Sequence, residues 1–248
     1  MAAMEKVNIL GVPVDRTDME GALARVKGFL DTESLNAIYT PNSEMVVSAV
    51  KDKEFMDILR SGDLVVPDGI GVVYASRIYG HPLPERVAGF DLMVRMLEML
   101  GREGRSIYLL GGKPGIAERA ADKISARFPG LQVKCTWHGY FNEGEVPGIV
   151  EHINSSGAEV LFVALGSPKQ EKWIHSNRDR LRVSIAMGVG GSFDVLAGET
   201  VRAPAFFRKA GLEWFYRLVT QPWRALRMLS LPVFVIKVLA DSRRRGKK

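Results

Sequence analysis

From residue 7 to residue 188 the chain alternates short, almost wholly apolar runs with longer amphipathic stretches, and no other feature restricts its fold as much. The spacing predicts strands over 7–10, 36–39, 64–66, 106–110, 131–136, 160–164 and 183–188. Helices are expected over 19–32, 43–51, 53–61, 69–79, 91–104, 115–128, 148–155 and 169–181. A strand that is apolar at every position has no side that water tolerates, so helices must cover both faces of the sheet. Strands joined through helices are parallel. The expected class is α/β, doubly wound, with a mostly parallel sheet.

In such a sheet ligands lie in the crevice beyond the carboxyl ends of the strands. The residues following each strand therefore carry the functional information. Six expected strand ends lead into polar or glycine-rich loops: Thr40-Pro41-Asn42-Ser43-Glu44, Pro67-Asp68-Gly69-Ile70-Gly71, Gly111-Gly112-Lys113-Pro114-Gly115, His138-Gly139-Tyr140-Phe141, Gly166-Ser167-Pro168-Lys169-Gln170-Glu171 and Gly190-Gly191-Ser192-Phe193-Asp194.

Asp68 stands in a sharp turn past a buried strand. Its carboxylate can serve as a general base toward a sugar hydroxyl, among the neutral hydrogen-bonding groups of Thr40, Asn42 and Gln170. N-capping of the next helix is the competing use of that carboxylate. Arg86, in a loop between helices, can bring positive charge to a diphosphate, or can pair at the surface with Glu85. Gly111 and Gly112 can let backbone amides approach a phosphate at a helix start, or can simply turn the chain. Gly190 and Gly191 make a second such turn. Asp194 is a candidate for ribose hydroxyls or for a helix cap, and Tyr140 for stacking on a base or for packing. The glycines match neither the dinucleotide fingerprint, which an epimerase of this class would need, nor a phosphate-binding P-loop. With no acidic pair and no HExxH, no metal site is indicated.

Charge is distributed as unevenly as hydropathy. Residues 202–248 hold 12 Lys/Arg against two acids, Glu213 and Asp241, whereas the rest of the chain holds 22 Lys/Arg against 26 acids. The net charge of +6 thus belongs to this segment. Among its bases stand Phe206, Phe207, Trp214, Phe215, Tyr216, Trp223, Leu229, Val235 and Ile236. Bases interleaved with large apolar groups suit anionic headgroups and acyl chains together. The organisation expected is a catalytic body over 1–201 and a basic, amphipathic appendage over 202–248.

Nucleic acid is an alternative partner for such a tail, but phosphates do not call for Leu, Val and Ile. Another alternative treats the segment as the last core helices with a solvated basic face. A membrane span is excluded, because the apolar run 229–240 is too short and contains Pro232 and Lys237. The partner expected is an anionic membrane surface and no nucleic acid; the oligomeric state stays open, a homo-oligomer included. Cys135, the single cysteine, excludes an internal disulfide and a multi-thiolate metal site. The first 16 residues lack signal-peptide architecture, so the location expected is the cytoplasm, peripheral on the inner face of the plasma membrane.

Taken in order, the six loops, with Arg202-Ala203-Pro204, Gly211-Leu212-Glu213-Trp214 and Arg217, resemble the WecB/TagA/CpsF glycosyltransferase family over nearly the whole chain. The resemblance implies a Rossmann-like core, no cofactor, and an inverting transfer from a UDP-sugar to a sugar carried on undecaprenyl diphosphate. In one branch N-acetylmannosamine is moved onto lipid-linked N-acetylglucosamine for wall teichoic acid; other branches move a mannosaminuronic acid or a glucosyl unit. It further implies Asp68 as the proposed base with Thr40, Asn42, Arg86 and Gln170 around it. The terminal segment would dock on the membrane and complete the site, with Arg217, Arg224 and Arg227 as diphosphate ligands.

Overall fold

The computed structural model describes residues 4–204, 206–207, 212–220 and 229–245. A hairpin opens the chain, β1 (Lys6–Ile9) pairing antiparallel with β2 (Val12–Asp15). There follow α1 (Met19–Phe29), β3 (Asn36–Tyr39), α2 (Ser43–Lys51), α3 (Lys53–Arg60), β4 (Leu64–Val65), α4 (Ile70–Ile78) and α5 (Gly89–Arg102). Then come β5 (Ser106–Gly111), α6 (Ile116–Arg127), β6 (Gln132–Trp137), α7 (Val146–Ser156), β7 (Val160–Ala164), α8 (Lys169–Ser176), β8 (Ile185–Gly188) and α9 (Ser192–Leu196). Among the described residues of the basic segment are α10 (Glu213–Thr220) and α11 (Ser230–Arg245).

Strands β3 to β8 form one sheet in the order β4-β3-β8-β7-β5-β6, with every pairing parallel. Side chains alternate between its two faces, which is why the strands are largely apolar, except for the edge strand β6 with its exposed Gln132 and Lys134. Ala37, Tyr39, Leu161 and Val163 join one core with α2, α3 and α7. Ile38, Val160 and Phe162 join the other with α1, α5 and α6. Each such large side chain contributes roughly 1.5–3 kcal/mol by leaving water. The architecture is Rossmann-like, doubly wound α/β.

Helix starts follow short polar caps. Asp18 accepts from the Gly21 amide at 2.8 Å, Asn42 from Met45 at 3.0 Å and Asp52 from Phe55 at 3.0 Å, each satisfying a donor that the first turn leaves without a partner.

Two sequence expectations are corrected. The strand expected at 7–10 is not part of the main sheet: it pairs with β2, which the pattern conceals because Pro13 interrupts it. This hairpin guards an edge, since Asp15 Oδ2 accepts the Val65 amide of β4 at 2.7 Å. Burial raises the pKa of Asp15, against the Val65 hydrogen bond and Lys6. Helix α8 stops at Ser176 instead of continuing to residue 181, because the buried Asn177 turns its side-chain amide back onto the Trp173 carbonyl at 2.8 Å.

Helix α11 packs against α2 and α4 through Phe234 and Val238, one turn apart, the phenyl ring lying over Gly71. Its other side exposes Val235, Ile236 and Leu239. Among the described residues no helix is long and apolar enough to cross a membrane.

Candidate active site

All six expected strand ends lie on one rim, with strands spaced about 4.8 Å apart. Asp68 follows β4 at one end, and Gly111 closes β5 four spacings away, about 19 Å along the rim. The intervening positions belong to Thr40 beyond β3, the Gly188–Gly190 turn beyond β8 and Ala164 at the end of β7.

At the β4 end the backbone draws four expected residues together. The Asp68 amide donates to the Pro41 carbonyl at 3.3 Å and the Val87 amide to the Pro67 carbonyl at 3.0 Å. A methyl on Gly69 would stand 3.2 Å from Asn42 Cβ, and one on Gly89 would stand 2.9 Å from Thr40 Oγ1. Thr40, Asn42, Asp68 and Arg86 therefore belong to one cluster. Asn42 spends its side-chain oxygen on capping α2. Asp68 is not such a cap: the N-cap of α4 is Gly69, and no described side chain accepts from its first amides.

Arg86 organises this cluster. Its Nε donates to the main-chain oxygen of Asp68, and its Nη2 lies 3.4 Å from Asp68 Oδ1 and 2.9 Å from Glu213 Oε2. Burial works against its charge, but Asp68 and Glu213 outweigh that and the guanidinium pKa is raised. The expected alternative, a pairing of Arg86 with Glu85, does not form. Glu85 instead accepts the Met19 amide at the start of α1, at 2.7 Å.

Gln170 is only 4% exposed and lies beneath the rim. Its Nε2 donates to Glu171 Oε1 at 2.8 Å and its Oε1 accepts the Gly190 amide at 3.0 Å. A methyl at Gly188 would come within 2.6 Å of that Nε2, so the glycine turn and the glutamine fit one another. Burial raises the pKa of Glu171, and the Gln170 hydrogen bond works against it.

The β5 end is made of main chain. Gly111 has φ +131°, and a Cβ there would lie 2.4 Å from the Ala164 carbonyl oxygen. The Gly112 amide donates to that same oxygen at 3.0 Å, and the Gly139 amide to the Gly112 carbonyl at 2.8 Å. These glycines join three strand ends, so the Gly112 amide expected to approach a phosphate is already engaged. Tyr140 is 65% exposed beside them, its amide 3.3 Å from His138 Nδ1. Asp194 lies in the first turn of α9, whose N-cap is Gly191, so it is not the cap. Among the described residues there is no group of three or more His, Cys, Asp or Glu able to hold a metal ion.

The side chain of Arg217 and all of Arg224 and Arg227 lie outside the described residues. The segment nevertheless reaches the rim. Arg202 makes a two-pronged ion pair with Asp91 at 2.5 and 2.7 Å and stacks over Phe90 at 4.5 Å. Beyond it, Glu213 of α10 meets Arg86. Sequence reasoning left Glu213 without a role. The signal was its isolation, one of two acids among 12 bases, since a lone buried carboxylate needs a cation.

The sequence model of the glycosyl transferase WecG/TagA/CpsF family matches residues 7–248. The chain is 36% identical over 217 residues to an N-acetylglucosaminyldiphosphoundecaprenol N-acetyl-beta-D-mannosaminyltransferase of Bacillus subtilis (strain 168), covering 88% of this chain and 84% of that protein. A protein of the same name from Staphylococcus aureus (strain NCTC 8325 / PS 47) is 35% identical over 246 residues, 98% of this chain and 95% of the relative.

Proposed function

The chain belongs to the WecG/TagA/CpsF glycosyl transferase family, and from that premise we propose that it moves N-acetylmannosamine from UDP onto N-acetylglucosamine carried by undecaprenyl diphosphate, in synthesis of a polysaccharide of teichoic acid type. The observation that carries the reading is the carboxylate of Asp68, excluded from helix capping and held at a strand end beside a guanidinium. Asp68 takes the proton from the attacking hydroxyl of the acceptor sugar as that oxygen bonds to the anomeric carbon. The bond from the anomeric carbon to UDP breaks on the opposite face, so the configuration inverts. Arginine charge steadies the departing diphosphate, with Arg86 beside the base and Arg217, Arg224 and Arg227 as the proposed contributors from the terminal segment. Thr40 and Asn42 line the sugar end and Gln170 supports it. The Gly111–Gly112 and Gly190–Gly191 turns, Tyr140 and Asp194 take the nucleotide.

The acceptor is lipid-borne, so body 1–201 and appendage 202–248 divide the work. At about 100° per residue, Pro232, Ile236 and Leu239 fall on the side of α11 opposite Phe234 and Val238, with Val233 and Val235 on its flanks, and all five are exposed, as is Leu229 just before the helix. Arg243 and Arg244 follow in its last turn. An apolar face with cations at its end suits the surface of an anionic bilayer.

The test is incubation with a panel of UDP-sugars and a short-chain lipid-diphosphate N-acetylglucosamine, reading product mass. One added N-acetylhexosamine from UDP-N-acetylmannosamine is the expected result. Product with none of the donors overturns the reading.

A further inference from the structure

Of the two acids in the terminal segment, Glu213 is the one that meets Arg86. It is 7% exposed, stands in the first turn of α10 and places Oε2 at 2.9 Å from Arg86 Nη2, the nitrogen that lies 3.4 Å from Asp68 Oδ1. One guanidinium is therefore shared by a carboxylate of the body and a carboxylate of the appendage. We infer that Glu213 is a positioning residue for the transfer, holding Arg86 in register with Asp68. The inference rests on the glycosyl-transfer reading above.

Three physical points support it. A buried carboxylate costs several kcal/mol unless a cation answers it. Next, the start of the segment is pinned to the body. Arg202 grips Asp91 and stacks on Phe90 at the start of α5, and Ala203 is buried there. That helix begins at Gly89, against which Thr40 packs, so Arg202 and Ala203 are held beside the rim. Finally, Arg86 comes from the loop between α4 and α5 and is anchored to the body by its Nε contact with the Asp68 carbonyl. Its outer nitrogen divides between two acids. Withdrawing Glu213 lets that nitrogen move onto Asp68 alone, which tightens the base's ion pair and favours its charged form.

The consequence is a link between lipid-surface docking and chemistry. Helices α10 and α11 belong to one segment, and α11 carries the exposed apolar face. Anything that lifts α10 removes Glu213 from Arg86 and leaves the base in a different electrostatic setting.

The test uses the full-length chain and Glu213→Gln, which keeps size and an accepting oxygen but removes charge. We expect turnover to fall by about 10- to 100-fold, the scale of a displaced catalytic group, while the donor KM stays within about twofold. The acid limb of the pH–rate profile should move to lower pH, because Arg86 then faces Asp68 without a competitor. In an Arg86→Lys background the same Glu213→Gln change should cost nothing further, since the fork through which it acts is gone. Unchanged turnover and acid limb in Glu213→Gln, or an equal loss in both backgrounds, overturns the inference. A wild-type chain inactive with every donor overturns the transfer reading, and this inference with it. An active wild type with an indifferent Glu213→Gln overturns this inference alone.

Discussion

At the β4 end of the rim the working groups are side chains held by side chains, whereas at the β5 end they are main-chain atoms held by main-chain atoms. Asp68, Arg86 and Glu213 form a chain of charge that can lose a member while the strands beneath stay paired. Gly111, Gly112 and Gly139 form a backbone weave in which a single methyl would strike the next strand. The difference teaches where chemistry and where shape reside. Substitutions at the first end should change rate without changing stability, and those at the second should lower stability.

The largest effect expected is on rate. Asp68→Asn should lower turnover about 10²- to 10⁴-fold, the usual contribution of a positioned general base, with UDP-sugar binding intact and a melting temperature within about 2 °C of wild type. Parallel loss of stability and activity would erase the contrast between the two ends. Next comes Gly111→Ala. A left-handed backbone and a Cβ 2.4 Å from the Ala164 oxygen leave the strand no option but to shift. About 3 kcal/mol of stability should go, read as a fall of about 10 °C in thermal melting, together with weaker UDP-sugar binding, since the same turn is proposed to take the nucleotide.

The smallest effect concerns the middle of the rim, where Glu171 lies beneath the Gly190 turn. Burial raises its pKa above 4.5, so its ionised form weighs on the fold at neutral pH. The contribution of such a group to stability is fully present below the unfolded value and is lost as pH rises through the folded one. Glu171→Gln should therefore melt higher than wild type near about pH 8, the gap closing below about pH 4.5. A gap that widens on acidification would contradict the sign.

Much of this was legible in the sequence because the sheet demands it. All of strands β3 to β8 but the edge strand β6 are largely apolar on both faces, and all six were expected within one or two residues of their bounds. The polar residues after them converge because parallel strands must end on the same side. Pro13 concealed β2, and with it the true partner of β1. The rim's inner fit was hidden too. Nothing in the spacing says that Gln170 lies beneath the glycine turn and not in the open crevice, since this depends on how α8 meets β8. The Asp68 capping alternative needed the observed start of α4 to be decided. Glu213 and Arg86 are 127 residues apart, so their contact follows only from tertiary structure. The terminal segment was legible as chemistry, basic and apolar together, but not as packing, because Phe234 and Val238 look no different in sequence from the exposed Ile236.

The most direct test of the central claim is the pH dependence of kcat/KM for the lipid-linked acceptor, measured for the wild type and for the residual activity of Asp68→Asn. Free-enzyme groups that must lose or keep a proton appear as limbs of this profile. If Asp68 is the base, the wild type shows an acid limb and the residual activity of Asp68→Asn lacks it. An acid limb that persists unchanged in Asp68→Asn would assign the proton to another group and contradict the mechanism.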